Sequence, residues 1–155
     1  MPESSVALRQ QLTDLIIRIF RANGTLVTWG DRFAAPFGLT SARWQMLGAL
    51  ALSSEALTAP QIAANMGVTR QGAQKQLNLL LKEGMVERQP NPLNKRSPTY
   101  RLSTAGNSLY RRIESGWNQH ADKISRNLSA DELTVTAQAL ETICELHLTP
   151  DEETT

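Results

Sequence analysis

Residues 58 to 103 constrain this chain more than any other stretch, because they read as two short helices around a glycine turn followed at once by a basic hairpin. Thr58-Ala59-Pro60-Gln61 opens a helix as a capping box, with the Thr58 hydroxyl on the third helical amide and Gln61 reaching back. Gly67 stops that helix and Val68 fills the turn. Thr69 then caps a second helix running to about Glu83, with Gly84 as its C-terminal stop. Residues 85–88 and 99–102 follow as strand-like segments. The connection between them, residues 89–98, carries prolines, asparagines and the adjacent cations Lys95 and Arg96, the composition of an exposed turn. Helix–turn–helix plus hairpin is a winged helix, a fold whose commonest use is reading DNA.

The charge distribution points the same way. The net charge of the chain is only +1, yet residues 68–101 hold seven cations against two acids, a local +5. The remainder holds nine cations and thirteen acids, a local −4, and residues 130–155 contain seven acids with no Lys or Arg. One basic module on an otherwise acidic chain is the electrostatic footprint expected of a phosphate-facing surface.

The rest of the chain reads as helix. Leu8, Leu12, Leu15, Ile16, Ile19 and Phe20 recur at helical spacing, so a first helix starts near Glu3 and reaches the twenties, with Gly24 and Gly30 blurring its end. Pro36 and Gly38 close that region, and Thr40 or Ser41 caps a helix carrying Trp44, Leu47 and Leu50. Leu109, Ile113, Trp117, Ala121, Ile124 and Leu128 form a long stripe after the hairpin. Ser129-Ala130-Asp131-Glu132 is a second capping box, opening a last helix with Leu133, Ala137, Leu140 and Cys144 on one face and Pro150 as its stop. The polar ends, 1–5 and 150–155, are expected to fray.

The fold class is therefore mainly α with a small β-hairpin. The expected domains are an N-terminal dimerisation region over residues 1–38, a winged helix–turn–helix over 39–103, and C-terminal dimerisation helices over 104–155. The terminal helices are amphipathic and lie outside the winged-helix core, so their apolar stripes call for a twofold homodimer. The charged residues in the first apolar stretch exclude a signal peptide or a membrane span. A single cysteine excludes a disulfide framework, and a cytoplasmic location is expected.

Within the second helix of the pair, Ala73, Leu77, Leu80 and Leu81 form the face that packs inward. Thr69, Arg70, Gln71, Gln74, Lys75 and Asn78 form the other, and that set suits major-groove reading. Arg can fork onto guanine, Gln and Asn can pair bidentately with adenine, and Lys can hold a phosphate. Gly72 costs about 1 kcal/mol relative to Ala in a helix, which suggests a close approach at that point. On the hairpin, Arg96 is the candidate for insertion into a narrow A·T-rich minor groove, with Lys95 beside it on phosphate.

Four motifs in order and spacing now carry a resemblance. They are residues 39–47 (LTSARWQML), Ile62-Ala63 with residues 66–70 (MGVTR), residues 80–88 (LLKEGMVER) and residues 102–106 (LSTAG). Together the chain resembles the MarR family of bacterial transcription regulators. The resemblance implies a homodimer held by its terminal helices, one winged helix per subunit, and repression relieved by a small ligand or oxidant. Two positions depart from the family pattern. Asn94 stands where an acid commonly precedes the wing arginine by two residues, and Gly72 replaces a small hydroxyl residue of the recognition helix.

For regulation, Trp29, Phe33, Phe37 and Trp44 before the DNA module, with Trp117 and His120 after it, are candidates to line a pocket for an aromatic or phenolic effector. Cys144 has no cationic neighbour in sequence to activate it and reads as an inert, buried thiol. No cofactor or metal is expected, since no Gly-rich phosphate loop, metal-ligand spacing or acid–base–nucleophile set stands out, and an enzyme is rejected on that ground. The alternative is a winged helix used for protein–protein assembly, which predicts an acidic or apolar recognition face.

Overall fold

The computed structural model describes residues 2–148, with side chains from Ser5 onward. The chain divides into two compact units, residues 1–113 and 114–155.

The first unit opens with helix α1 (Pro2–Ala34), which begins where a frayed end is expected and runs straight through Gly24 and Gly30. Proline at the first helical position suits a start, because its missing N–H has no intrahelical partner to lose. The two glycines do different things. Gly24 has nothing near it, whereas a Cβ on Gly30 would come 2.9 Å from Ser41 Cβ. Gly30 thus lets α1 press closely onto the start of helix α2 (Ser41–Ala51). The Asp31 carboxylate accepts the Ser41 amide at 2.8 Å, and Thr40 caps the same helix. That amide, followed by the Ser41 hydroxyl, holds the Asp31 carboxyl below the ordinary carboxylate range. Between the two helices the chain reverses at Gly38, in the left-handed conformation at φ 74°.

Strand β1 (Leu57–Thr58), helix α3 (Ala59–Met66), helix α4 (Arg70–Lys82), strand β2 (Val86–Gln89) and strand β3 (Thr99–Leu102) follow. The capping box at Thr58 and Gln61 is complete in both directions, and Gly67 ends α3 in the left-handed conformation. The sheet has three strands in the order β1-β3-β2, all antiparallel, with Leu57 opposite Tyr100 and Val86 opposite Leu102. Sequence reasoning predicts only a two-stranded hairpin. A strand of two residues is too short to show alternation, so β1 carries no signal of its own. Met46 and Leu47 of α2, Ile62 of α3, Leu77 and Leu80 of α4, Tyr100 of β3 and Ile113 of helix α5 (Thr104–Ile124) form the buried core.

The second unit contains the later turns of α5, a 3-10 turn at Ser125–Asn127 and helix α6 (Ala130–His147). Leu128 therefore stands after the helix rather than on its stripe. The capping box of Ser129 and Glu132 forms as its sequence requires. Leu133, Ala137, Leu140 and Cys144 are all exposed, so the expectation of a buried thiol is corrected: α6 turns that stripe to solvent in the single chain. The expected Pro150 stop and the polar C-terminal end lie outside the described residues. Among those residues, no helix is long and apolar enough to cross a membrane.

Candidate nucleic-acid interface

Helix α4 is held at both ends before its outer face is considered. At the start, the Thr69 hydroxyl accepts the Gly72 amide at 3.0 Å. A Cβ on Gly72 would sit 3.0 Å from that same hydroxyl oxygen, so the close approach expected at this glycine is made by the helix's own cap. At the other end Arg43 of α2 donates to Glu83 at 2.7 Å, tying the last turn of α4 to the core helix beneath it. Ala73, Leu77 and Leu80 are buried and Leu81 packs partly against them, as predicted for the inner face.

The outer face then has no freedom to roll inward. Thr69, Arg70, Gln71, Lys75 and Asn78 are exposed and Gln74 is half-buried. No acid stands in the first turn. The two acids of the basic segment are both neutralised: Glu83 by Arg43, and Glu87 by Arg101 at 2.9 Å across β2 and β3. The face offered to a ligand is thus cationic and amide-bearing.

Gln74 is tied by two side-chain hydrogen bonds. Its Nε2 donates to Asn78 Oδ1 at 2.9 Å, one turn along the helix, and to the Tyr100 hydroxyl at 3.0 Å. Tyr100 lies on β3 with its side chain almost wholly buried. It was absent from the sequence-predicted site, although the alternation of residues 99–102 marks it as an inward position of the strand. Arg43 was likewise missed, and no local signal marks a partner forty residues away.

The wing loop is built from three asparagine contacts. Asn91 Nδ2 closes its base on the Ser97 carbonyl at 3.0 Å, and Asn91 Oδ1 accepts the Leu93 amide at 3.1 Å. Asn94 Oδ1 accepts the Arg96 amide at 3.1 Å, so this residue shapes the backbone at the arginine rather than holding its guanidinium. Lys95 and Arg96 are exposed on the resulting turn. Between wing and helix lies a cleft of about 280 Å³ lined by Pro60, Arg70, Gln71, Gln74 and Arg96. Gln71, Gln74, Lys75 and Asn78 also share an open depression along α4. Of the predicted side chains, Arg70, Gln71, Gln74 and Arg96 therefore converge on one cleft, Lys75 and Asn78 join Gln71 and Gln74 in the depression beside it, and Thr69 and Lys95 line neither.

The candidate effector residues divide between the units. In the first, Trp29 and Phe33 stack with ring centroids 4.9 Å apart, and Phe33 lies 5.0 Å from Trp44 and 6.0 Å from Phe37. In the second, Trp117 and His120 pair with each other at 5.9 Å. A separate cleft of about 320 Å³ lies among α1, α2 and the turn before α4, lined by Val27, Gln45, Met46, Met66, Gly72 and Gln76. None of the predicted aromatic residues lines it.

Comparison with known proteins agrees with this geometry. The profile of the MarR family matches residues 37–97, the span from α2 through the wing. The chain is 37% identical over 106 residues to the uncharacterized protein Rv2011c of Mycobacterium tuberculosis, an alignment covering 68% of this chain and 73% of that one. In structure it is similar to a mutant MarR from E. coli complexed with operator DNA, at 23% identity and TM-score 0.70, over 86% of this chain and 95% of that one. It is also similar to CouR from Rhodococcus jostii RHA1 bound to p-coumaroyl-CoA, at 16% identity and TM-score 0.75, over 88% of this chain and 96% of that one. With the winged helix, the acid-free face of α4 and the matched motifs in place, residues 37–97 are a winged helix of the MarR family, the family of the transcription regulators whose fold the chain shares.

Proposed function

We propose that this protein is a sequence-specific repressor that binds a palindromic operator as a homodimer and releases it on binding a small effector. The observation that carries the reading is the convergence of Arg70, Gln71 and Gln74 of α4 with Arg96 of the wing on one cleft, on a face whose nearby acids are already paired. Such a face neutralises phosphates with its cations and reads base edges with its amides. Similarity to a MarR protein solved with operator DNA supports the same assignment.

The dimer follows from surface chemistry. Leu8, Leu12, Leu15 and Leu26 on one face of α1 are 37% to 67% exposed, and Leu133 and Leu140 on one face of α6 are 49% and 38% exposed. Apolar stripes of that length are burial sites for a second surface, and a second copy supplies a twofold partner for a palindromic site. For the effector, Trp29 stacks on Phe33 and Trp44 tilts against both, an aromatic cluster whose chemistry suits a phenolic ring. The similarity to CouR, whose bound ligand is a phenolic thioester, supports that ligand class.

Footprinting on a selected duplex tests the symmetric mode. Two protected half-sites about 10 base pairs apart are expected from one turn of the duplex, and a single isolated half-site would exclude the dimer. Titration with phenolic acids should lower DNA affinity and quench tryptophan emission. Unchanged affinity across that series would remove the effector from the account.

A further inference from the structure

We infer that Tyr100 is a specificity-positioning residue, locking the Gln74 amide so that Gln74 presents an acceptor to DNA. The inference rests on the reading of α4 as the DNA-recognition helix. A free glutamine offers a base both a carbonyl acceptor and an NH₂ donor, which is why Gln can bracket adenine N6 and N7 together. Here both hydrogens of Gln74 Nε2 are spent, one on Asn78 Oδ1 at 2.9 Å and one on the Tyr100 hydroxyl at 3.0 Å. Only Oε1 remains for a base edge. Tyr100 can hold the amide because it is itself held: its side chain is 1% exposed, and it pairs with Leu57 of β1 on one side and Arg88 of β2 on the other.

The consequence is a changed code at one base. In the major groove the exocyclic donors belong to adenine (N6) and cytosine (N4), whereas guanine and thymine present O6 and O4 acceptors. A glutamine reduced to its carbonyl therefore selects amino bases over keto bases without separating adenine from cytosine. Asn78, whose Oδ1 is occupied by Gln74, keeps its own NH₂ as the complementary donor one turn further on. The wing strand β3 thus sets chemistry on the recognition helix as well as carrying the wing.

The test compares binding-and-sequencing profiles on random duplexes for the natural chain, Tyr100→Phe and Gln74→Glu. The phenylalanine keeps the buried ring and removes the hydroxyl that fixes the amide. The glutamate keeps an acceptor at the base and cannot donate. The natural protein should show one position per half-site with at least about fivefold preference for A or C over G or T, the size of a single base discrimination. Tyr100→Phe should free one Nε2 hydrogen for adenine N7, so that the equal acceptance of A and C gives way to a preference for A over C of about fivefold, while leaving phosphate-driven affinity in place. Gln74→Glu should keep the preference at weaker overall affinity. If Tyr100→Phe is destabilised in a thermal melt, Gln74→Glu carries the test alone, and loss of the amino-base preference in that variant overturns the inference. An unchanged profile in folded Tyr100→Phe overturns it as well. Failure of the natural protein to select any duplex is a different outcome, overturning the DNA reading and the inference with it.

Discussion

Replacing Gly106 by alanine tests how closely the first turn of α5 packs on the backbone just before β2. Gly106 stands in the first turn of α5, and a Cβ there would fall well inside contact distance of the Met85 carbonyl oxygen and 3.0 Å from its carbon. Backbone, not a flexible side chain, is the obstacle. Relief requires the first turn of α5 to lift, and that motion strains a small network. Ser103 Oγ donates to the Gly84 carbonyl at 2.6 Å and accepts the Gly106 amide at 3.0 Å, while Ser103 N donates to the Met85 carbonyl at 3.1 Å. Overpacking costs about 1–3 kcal/mol, and each hydrogen bond lost adds about 1 kcal/mol. Alanine returns about 1 kcal/mol in helix propensity, so a net destabilisation of about 2–4 kcal/mol is expected. Gly24→Ala is the matched control, because its Cβ meets nothing within 4 Å in the exposed α1. It should stabilise by up to about 1 kcal/mol. Urea unfolding at one fixed protein concentration measures both, since the proposed homodimer would make apparent stability concentration-dependent. A Gly106→Ala midpoint within about 0.5 kcal/mol of the natural chain, small enough to match an ordinary surface substitution, would refute the close packing of α5 on the segment between Gly84 and β2.

Three further outcomes follow from single contacts. Arg96→Ala should weaken binding mainly on operators with A·T-rich flanks, where the narrow groove concentrates negative potential, and affinity unchanged on such flanks would remove the wing from the interface. Thr58→Ala removes the cap hydroxyl of α3 and should cost about 1 kcal/mol in unfolding free energy; no change would mean that the capping box contributes nothing in context. Asp31→Asn addresses pH. The Asp31 carboxyl is held below its ordinary range by the Ser41 amide, so its stabilising effect is complete above that range and is lost as pH falls through the lowered value. The acid limb of a melting-temperature profile should therefore flatten in the asparagine variant, and parallel limbs would show that the α1–α2 contact is not linked to that ionisation.

Most of the fold was legible because its punctuation is local. Capping boxes at Thr58 and Ser129 and left-handed glycines at 38, 67 and 84 act within four residues, so their effect survives any tertiary arrangement. The inner face of α4 was equally readable from its period. What escaped depends on distant partners. β1 exists only because β3 pairs with it, and Gly30 only blurs the end of a helix until Ser41 stands opposite it. Gly72 went the other way, since its tight neighbour turned out to be the adjacent cap. In the candidate site, residue types on α4 and the wing were evident from their charge and spacing. The commitment of the Gln74 amide to Tyr100, 26 residues away, was not. The stripe of α6 shows a further limit: a helical period marks an apolar face without saying which surface covers it, and Cys144 stands exposed on that stripe.

On the proposed function, the cationic, amide-bearing face of α4 and the wing reads duplex DNA. Salt-dependent binding of the natural protein to a random duplex library, with sequencing of what is retained, tests it most directly. A palindrome should emerge, and its affinity should fall roughly a thousandfold or more between about 50 and about 200 mM salt as phosphate contacts release counterions. No enriched sequence and a flat salt response would contradict the claim, and would leave the winged helix as a protein-assembly module.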